Sequence, residues 1–355
     1  MNTRALRVGI VGLGHMGRHH ARTVEQADGV DLVAVADPAG DPGGALAGVP
    51  VVTDLEQLLH HRVDYVVLAC PTSLHAELGV QLAAARIPTL IEKPLAGDPA
   101  AAAQLVNAYR AAGVPAAVGY IERFNPALAA LRRRLEDGLL GDVFDISTRR
   151  TGVYPVRITD VGVINDLATH DIDLTAWLAG QPYTSITART AHRSGRPYED
   201  LLAAIAQLAD GTIAQHRVNW LTPNPERHIA VTGEHGCLTA DTITASLTFY
   251  GNGTTRPDRG GPVTYPGVTR GVVTHLDPPR ADALLSEHQA FRDTVLGHPS
   301  PSVSLDAGLH AVLVAHAATT SARIGQTVPV TRAEAALDRP RPAAAEEGLT
   351  ARSQR

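Results

Sequence analysis

Short apolar runs separated by half-polar stretches fill the first 121 residues, and their spacing predicts alternating strands and helices. Arg7 to Gly12 has the pattern of a buried strand and leads through Gly12-Leu13-Gly14-His15-Met16-Gly17 into a helical stretch. Leu32 to Asp37 is a second strand and Val51-Val52 a third, after which Thr53-Asp54-Leu55-Glu56 forms a capping box for a helix through His60. Val63 to Ala69 is rich in β-branched residues; Pro71-Thr72-Ser73-Leu74-His75 follows it and opens a helix to Arg86. Thr89 to Lys93 is the next strand. Asp98-Pro99 supplies an N-cap and a proline at the first helical position for a helix that stops at Gly113, and Pro115 to Ile121 closes the series. Strands that alternate with helices in this way build a parallel sheet with right-handed crossovers.

Beyond Ile121 the pattern changes. Asn125-Pro126 caps a helix with apolar positions Leu128, Leu131 and Leu135 that ends at Gly138. Strand-like segments follow at 142–150, 183–190, 201–209, 212–221, 228–233 and 243–250, interrupted by one helix from about Val163 to Ala179. That order predicts an α+β domain with a large, mostly antiparallel open sheet. Residues 251–280 show no periodicity and read as a long irregular loop. Helices at about 282–296 and 306–324 finish the fold, and the tail from Thr331 reads as disordered. The chain is thus an α/β protein with a dinucleotide-binding domain over 1–121, a substrate-binding and oligomerisation domain over 122–330, and a tail over 331–355. The strand at 212–221 has no cleanly polar face, which predicts that the sheet is covered in a homo-oligomer.

A length of 355 residues fits two domains, and 44% hydrophobic with 19% charged residues is ordinary globular composition. A net charge of −5 gives no field that would gather nucleic acid or an anionic membrane. No apolar run reaches the roughly 18 residues of a membrane helix, and Met1-Asn2-Thr3-Arg4 shows no signal-peptide core. Cys70 and Cys237 make neither a metal cluster nor a disulfide framework, so a reducing cytoplasm is the expected setting. Composition does single out Lys93: it is the only lysine among 31 Lys and Arg residues. Arginine does not release its proton in a protein, whereas an ε-ammonium is a compact donor whose pKa moves with its surroundings.

The candidate chemistry follows from these placements. Gly12 makes the tight turn, Gly14 admits a pyrophosphate to the backbone, and Gly17 lets helix pack on strand, with the helix N-terminus as the anion site. Asp37 closes the second strand 20 residues past Gly17. A carboxylate there accepts from ribose hydroxyls and repels a 2′-phosphate, so NAD is expected rather than NADP. On the helix over 163–179, Asp166, His170 and Asp173 fall at i, i+4 and i+7, on one face. A histidine flanked by carboxylates suits a general base. Those three residues, or His15 with His19, also have metal-ligand spacing, but no second ligand cluster accompanies them and no metal is expected.

The motif Gly12-x-Gly14-x-x-Gly17, Pro71-Thr72-x-x-His75, Glu92-Lys93-Pro94 and Asp166-x-x-x-His170-Asp171-Ile172-Asp173 together resemble the Gfo/Idh/MocA oxidoreductases over about residues 5–330. The resemblance implies a Rossmann domain that binds NAD through Gly12, Gly14, His15, Met16, Gly17, Asp37, Pro71, Thr72, His75, Glu92 and Lys93. It implies that Lys93 stabilises the reacting hydroxyl, that His170 takes its proton, and that Asp166 orients substrate or imidazole. The stretches 120–126 and 157–167 look like the branch that oxidises the 3-hydroxyl of UDP-N-acetylglucosamine or its uronic acid. On that reading Arg123, Asn125, Arg149 and Arg157 join Lys93, Asp166 and His170 around the substrate. Reduction of a nucleotide-linked 3-ketosugar with NADPH, oxidation of an inositol, and an idle NAD-binding sensor are the competing readings. Asp37 opposes the first, the 123–126 stretch the second, and the presence of both Lys93 and His170 the third.

Overall fold

The computed structural model describes residues 4–42, 44, 46, 48–156, 158, 161–253 and 271–337. Six strands form the first sheet: β1 (Leu6–Val11), β2 (Val30–Ala36), β3 (Val51–Val52), β4 (Tyr65–Leu68), β5 (Thr89–Glu92) and β6 (Ala116–Gly119). All pair in parallel in the order β3-β2-β1-β4-β5-β6, the doubly wound arrangement of dinucleotide-binding domains. The strands are short and apolar because both faces are covered: β4 is buried at every position. Helices α1 (His15–Gln26), α2 (Leu55–Leu59), α3 (His75–Ala84) and α4 (Pro99–Ala112) are the crossovers. Asp98 caps α4 by accepting from the N–H groups of Ala100 and Ala101, and Gly113 ends it at φ 61°, as the sequence predicts.

The second sheet has nine strands: β7 (Val143–Val153), β8 (Tyr183–Ala191), β9 (Leu201–Leu208), β10 (Ile213–Asn219), β11 (Leu221–Gly233), β12 (Gly236–Asp241), β13 (Ser246–Gly251), β14 (Val273–Leu276) and β15 (Val328–Pro329). Every pairing is antiparallel except β7 with β10. Two strands lie where none was expected. β12 falls between the expected strands at 228–233 and 243–250, and β14 lies inside the stretch read as irregular, where it pairs with β13. β11 begins earlier than the sequence suggests. Pro223 and Pro225 have no N–H to give, so its ladder with β7 is interrupted between Leu221 and Glu226.

Helices α5 (Pro126–Glu136), α6 (Thr169–Ala179), α7 (Ala283–Val295) and α8 (Leu305–Ile324) complete the packing. α8 joins the two halves: Leu309, Val312 and Ala318 share one core with Val118 of β6 and with Ile186 and Ala188 of β8. A Cβ on Gly308 would stand 2.6 Å from Val118, which shows how closely the helix approaches β6. α7 sends Phe291 into the core of the first sheet, edge-on to Tyr65. The start of the expected tail is ordered as α9 (Ala333–Leu337); the rest of that reading, and residues 254–270 of the irregular loop, lie outside the described residues. Among the described residues no helix is long and apolar enough to cross a membrane.

Candidate active site

The glycine loop sits at the carboxyl edge of β1. Gly12 adopts φ 95°, and a Cβ there would lie 2.7 Å from the Ala69 carbonyl oxygen and Cys70 Cα. A Cβ on Gly17 would meet the Gly12 carbonyl oxygen at 1.9 Å, whereas one on Gly14 would meet nothing within 4 Å. The loop is therefore packed shut at Gly12 and Gly17 and open at Gly14. The first turn of α1, carrying His15 and Met16, has no side-chain cap, so its N–H groups are available to an anion. Asp37 accepts from Leu13 N at 2.7 Å and from Ala39 N at 2.8 Å, which fastens the loop. A carboxylate oxygen has two lone pairs, so each keeps one for a ribose hydroxyl. Pro71 and Thr72 follow β4 along the same edge. These features fit NAD.

Lys93 follows β5, and its Nζ crosses to the second half of the chain. It donates to the Asp166 carbonyl at 2.8 Å and to Asp166 Oδ1 at 3.2 Å. Asp166 can meet it because residues Ile164–Ala168 form a π-helical turn ahead of α6. The wider turn breaks the expected alignment of Asp166, His170 and Asp173. Asp166 faces Lys93, His170 stands edge-on to Tyr120 with ring centroids 6.1 Å apart, and Asp173 is gripped by Arg123. Among the described residues no carboxylate bonds the His170 ring, and its buried Nδ1 has no partner. Burial, and then the charges of Lys93, Arg150 and Arg227, hold the His170 pKa well below its usual value. The ring is neutral at neutral pH, not a carboxylate-stabilised imidazolium.

Several other expected site residues have different work. Arg123 forms a two-pronged pair with Asp173, at 2.8 and 2.6 Å, and lies over Trp177. Asn125 caps α5 through Ala127 N and donates to the Thr242 carbonyl. Arg149 points away from the site, because successive strand residues alternate faces: it meets Glu226 on the open side of β7, while Arg150 is buried on the covered side. Arg157 lies outside the described residues. His75 and Glu92, expected at the cofactor, are buried behind the Lys93-Pro94 turn. His75 sits between the carbonyls of Cys70 and Pro94, each 3.1 Å away. Glu92 accepts from Lys93 N at 3.0 Å and lies 2.8 Å from His20 Nε2.

Some residues at or behind the site escape sequence reasoning. Arg150 is fully buried between Asp171 (2.8 Å) and Glu122 (2.7 Å). Burial would raise the Glu122 pKa, but Arg150 pulls it below the usual range; for Asp171 burial wins and raises it. Arg227 of β11 stands directly opposite Arg150. Behind Glu92, His20 Nδ1 lies 2.9 Å from His288 Nε2 of α7. The signal for Arg227 was the run Pro225-Glu226-Arg227-His228 ahead of an apolar strand end, but which face it takes depends on register across the sheet. Burial pushes the Cys70 thiol up to about 12, which removes it as a nucleophile. Among the described residues no three His, Cys, Asp or Glu side chains gather as a metal site.

A glycine loop tied by Asp37 at the carboxyl edge of a doubly wound sheet, with Lys93 following β5 and reaching to Asp166, is the frame of an NAD-dependent dehydrogenase. Comparison with known proteins gives the family. Residues 6–120 match the model of the oxidoreductase family with an NAD-binding Rossmann fold, and residues 128–239 match the GFO/IDH/MocA C-terminal domain. The chain is 31% identical to inositol 2-dehydrogenase 2 of Saccharopolyspora erythraea over 92% of its own length and 95% of that protein. It is 26% identical to UDP-N-acetylglucosamine 3-dehydrogenase of Acidithiobacillus ferrooxidans, over 82% of this chain and 90% of that one. GenD2 from gentamicin A biosynthesis, solved with NAD, superposes with a TM-score of 0.78 at 27% identity, over 92% of this chain and 97% of that one. The chain belongs to the Gfo/Idh/MocA oxidoreductases.

Proposed function

We propose that this dehydrogenase oxidises a secondary ring hydroxyl of a sugar at a site made by Lys93, Asp166 and His170, with a nucleotide-linked sugar such as UDP-N-acetylglucosamine or its uronic acid as substrate and C3 as the reacting carbon. The observation that carries the reading is the reach of Lys93 Nζ to Asp166, 2.8 Å from its carbonyl, at the carboxyl end of β5 and beside the neutral His170. An ammonium has three N–H donors. Two are engaged by Asp166, and the third meets the substrate oxygen and stabilises its alkoxide character. NAD supplies the hydride acceptor. His170, neutral because buried among cations, accepts the hydroxyl proton as hydride leaves and releases it to solvent when the product departs, since the same cations disfavour a lasting imidazolium. Asp166 holds Lys93 in place and keeps Oδ2 for a neighbouring hydroxyl.

The UDP-N-acetylglucosamine 3-dehydrogenase relative and the sequence at 120–126 support a nucleotide sugar. A free inositol is the second reading. It is favoured by the inositol 2-dehydrogenase relative and by the engagement of Arg123, Asn125 and Arg149 elsewhere, which takes them from a diphosphate. Purified protein offered NAD or NADP with UDP-N-acetylglucosamine, its uronic acid, a dTDP-hexose or myo-inositol separates these readings, with product followed by mass spectrometry. The loss of two hydrogens from a UDP-sugar with NAD is the expected result. Turnover of inositol alone would replace the substrate and leave the site standing.

The open face of the second sheet supports a homodimer or homotetramer. Ile205 is 58% and Ile213 37% exposed there, beside a trough of about 690 Å³ lined by Arg149, Arg189, Arg217 and His228. Light scattering that shows a clean monomer at working concentration would refute this.

A further inference from the structure

The cations around the site differ in what neutralises them. Arg123 places Nε and Nη2 on the two oxygens of Asp173. Arg150 spends its charge on Asp171 and Glu122, and Lys93 on Asp166. Arg227 has no carboxylate at ion-pair distance among the described residues. Its Nη1 donates to the carbonyls of Thr151 at 2.7 Å and Glu226 at 2.9 Å, while Nε and Nη2 make no hydrogen bond among the described residues.

Register places this open fork beside Arg150. β11 pairs with β7 so that Arg227 stands directly opposite Arg150, and cross-strand partners share a face. α6 meets that face through Asp171, which Arg150 bonds and which His170 precedes in the chain. Two guanidinium groups set opposite each other repel, and burial together with Arg150 lowers the Arg227 pKa. The carboxylates of Asp171, Glu122 and Asp166 draw it back up, and Arg227 in turn helps to lower the His170 pKa. None of those carboxylates bonds the guanidinium among the described residues, so Nε and Nη2 are left as free donors for a bound anion.

We propose that Arg227 is the counter-ion for a carboxylate borne by the reacting ring, so that the substrate is a sugar acid. Nε and Nη2 present the two parallel donors that match both carboxylate oxygens, the same fork that Arg123 closes on Asp173. Arg227 stands opposite Arg150, which holds Asp171, the neighbour of His170, so an anion on the fork would sit on the same side of the sheet as the reacting hydroxyl. This inference rests on the Lys93–His170 reading of the site and names the substrate class within it.

The test is kcat/KM with NAD for two matched pairs, UDP-N-acetylglucosamine against its uronic acid and glucose against glucuronate, in the wild type, Arg227→Met and Arg227→Lys. The wild type should favour the acid on the order of 10- to 100-fold. Arg227→Met should erase that preference, because the acid loses its counter-ion in addition to whatever the altered His170 costs both members of a pair; the acid-to-neutral ratio is the readout. Arg227→Lys should keep part of the preference, and added salt should shrink it. No preference for the acid in the wild type, or an equal loss on both members in a folded Arg227→Met, would overturn the proposal. Should Arg227→Met not fold, the Lys variant and the salt dependence decide in the same two directions. Turnover of only the free pair would remove the nucleotide from the proposed function while the ratio of acid to neutral still scores Arg227.

Discussion

The loop after β1 and the segment from Ile164 to Ala179 belong to opposite halves of the molecule, and they are built by different means. In the loop the functional groups are backbone. Gly12 and Gly17 close it against Ala69 and the Gly12 carbonyl, Gly14 leaves space, and Asp37 ties it down through two N–H groups. In the later segment the functional groups are side chains held by partners far along the chain: Asp166 by Lys93, Asp171 by Arg150, Asp173 by Arg123. A backbone site needs the right residues at the right spacing. A side-chain site needs a charge balance that no local stretch contains.

The sharpest way to break the comparison is to remove a balancing charge. Arg150→Met would strand the buried Asp171 and the partly buried Glu122, and should cost about 3–5 kcal/mol of stability. Denaturant midpoints check this. A midpoint near wild type would mean that these carboxyls tolerate neutral burial and that the second half does not depend on charge balance.

A smaller effect comes from His216 beneath the second sheet, 2.8 Å from both Thr148 Oγ1 and Tyr183 Oη. Burial holds its pKa down to about 4, against an ordinary value near 6.5. Between those values the unfolded chain binds a proton that the folded chain refuses. Its contribution is therefore complete above pH ~6.5 and is lost as pH falls toward about 4, with a limiting slope of ~1.4 kcal/mol per pH unit. His216→Gln should flatten the acid side of the stability profile by about one proton. Parallel profiles for wild type and variant between pH 7 and 5 would contradict the assignment.

The contrast also explains what could be read in advance. The glycine loop, Asp37 and Lys93 were legible because each sits where a strand ends, and strand ends are marked by local pattern. The two-sheet architecture was legible for the same reason. The π turn was not, since Val163 to Ala179 carries ordinary helical periodicity and the widened turn is seen only in the structure. Arg149 and Arg150 are neighbours in sequence and opposites in the sheet; choosing between them required knowing which face of β7 is covered. Arg227 needed the pairing of β11 with β7, across two prolines that hide the strand. The link from Glu92 through His20 to His288 joins residues 268 positions apart at its far end, beyond any local signal.

The central claim is that Lys93, held by Asp166, stabilises the reacting oxygen. Single-turnover hydride transfer in Lys93→Met, with NAD and substrate binding measured separately by calorimetry, tests it most directly. Transfer should slow by about 10²–10³-fold while NAD affinity changes little, because the loss falls on an interaction made with the developing alkoxide. Full wild-type transfer in that variant would contradict the catalytic reading of the site.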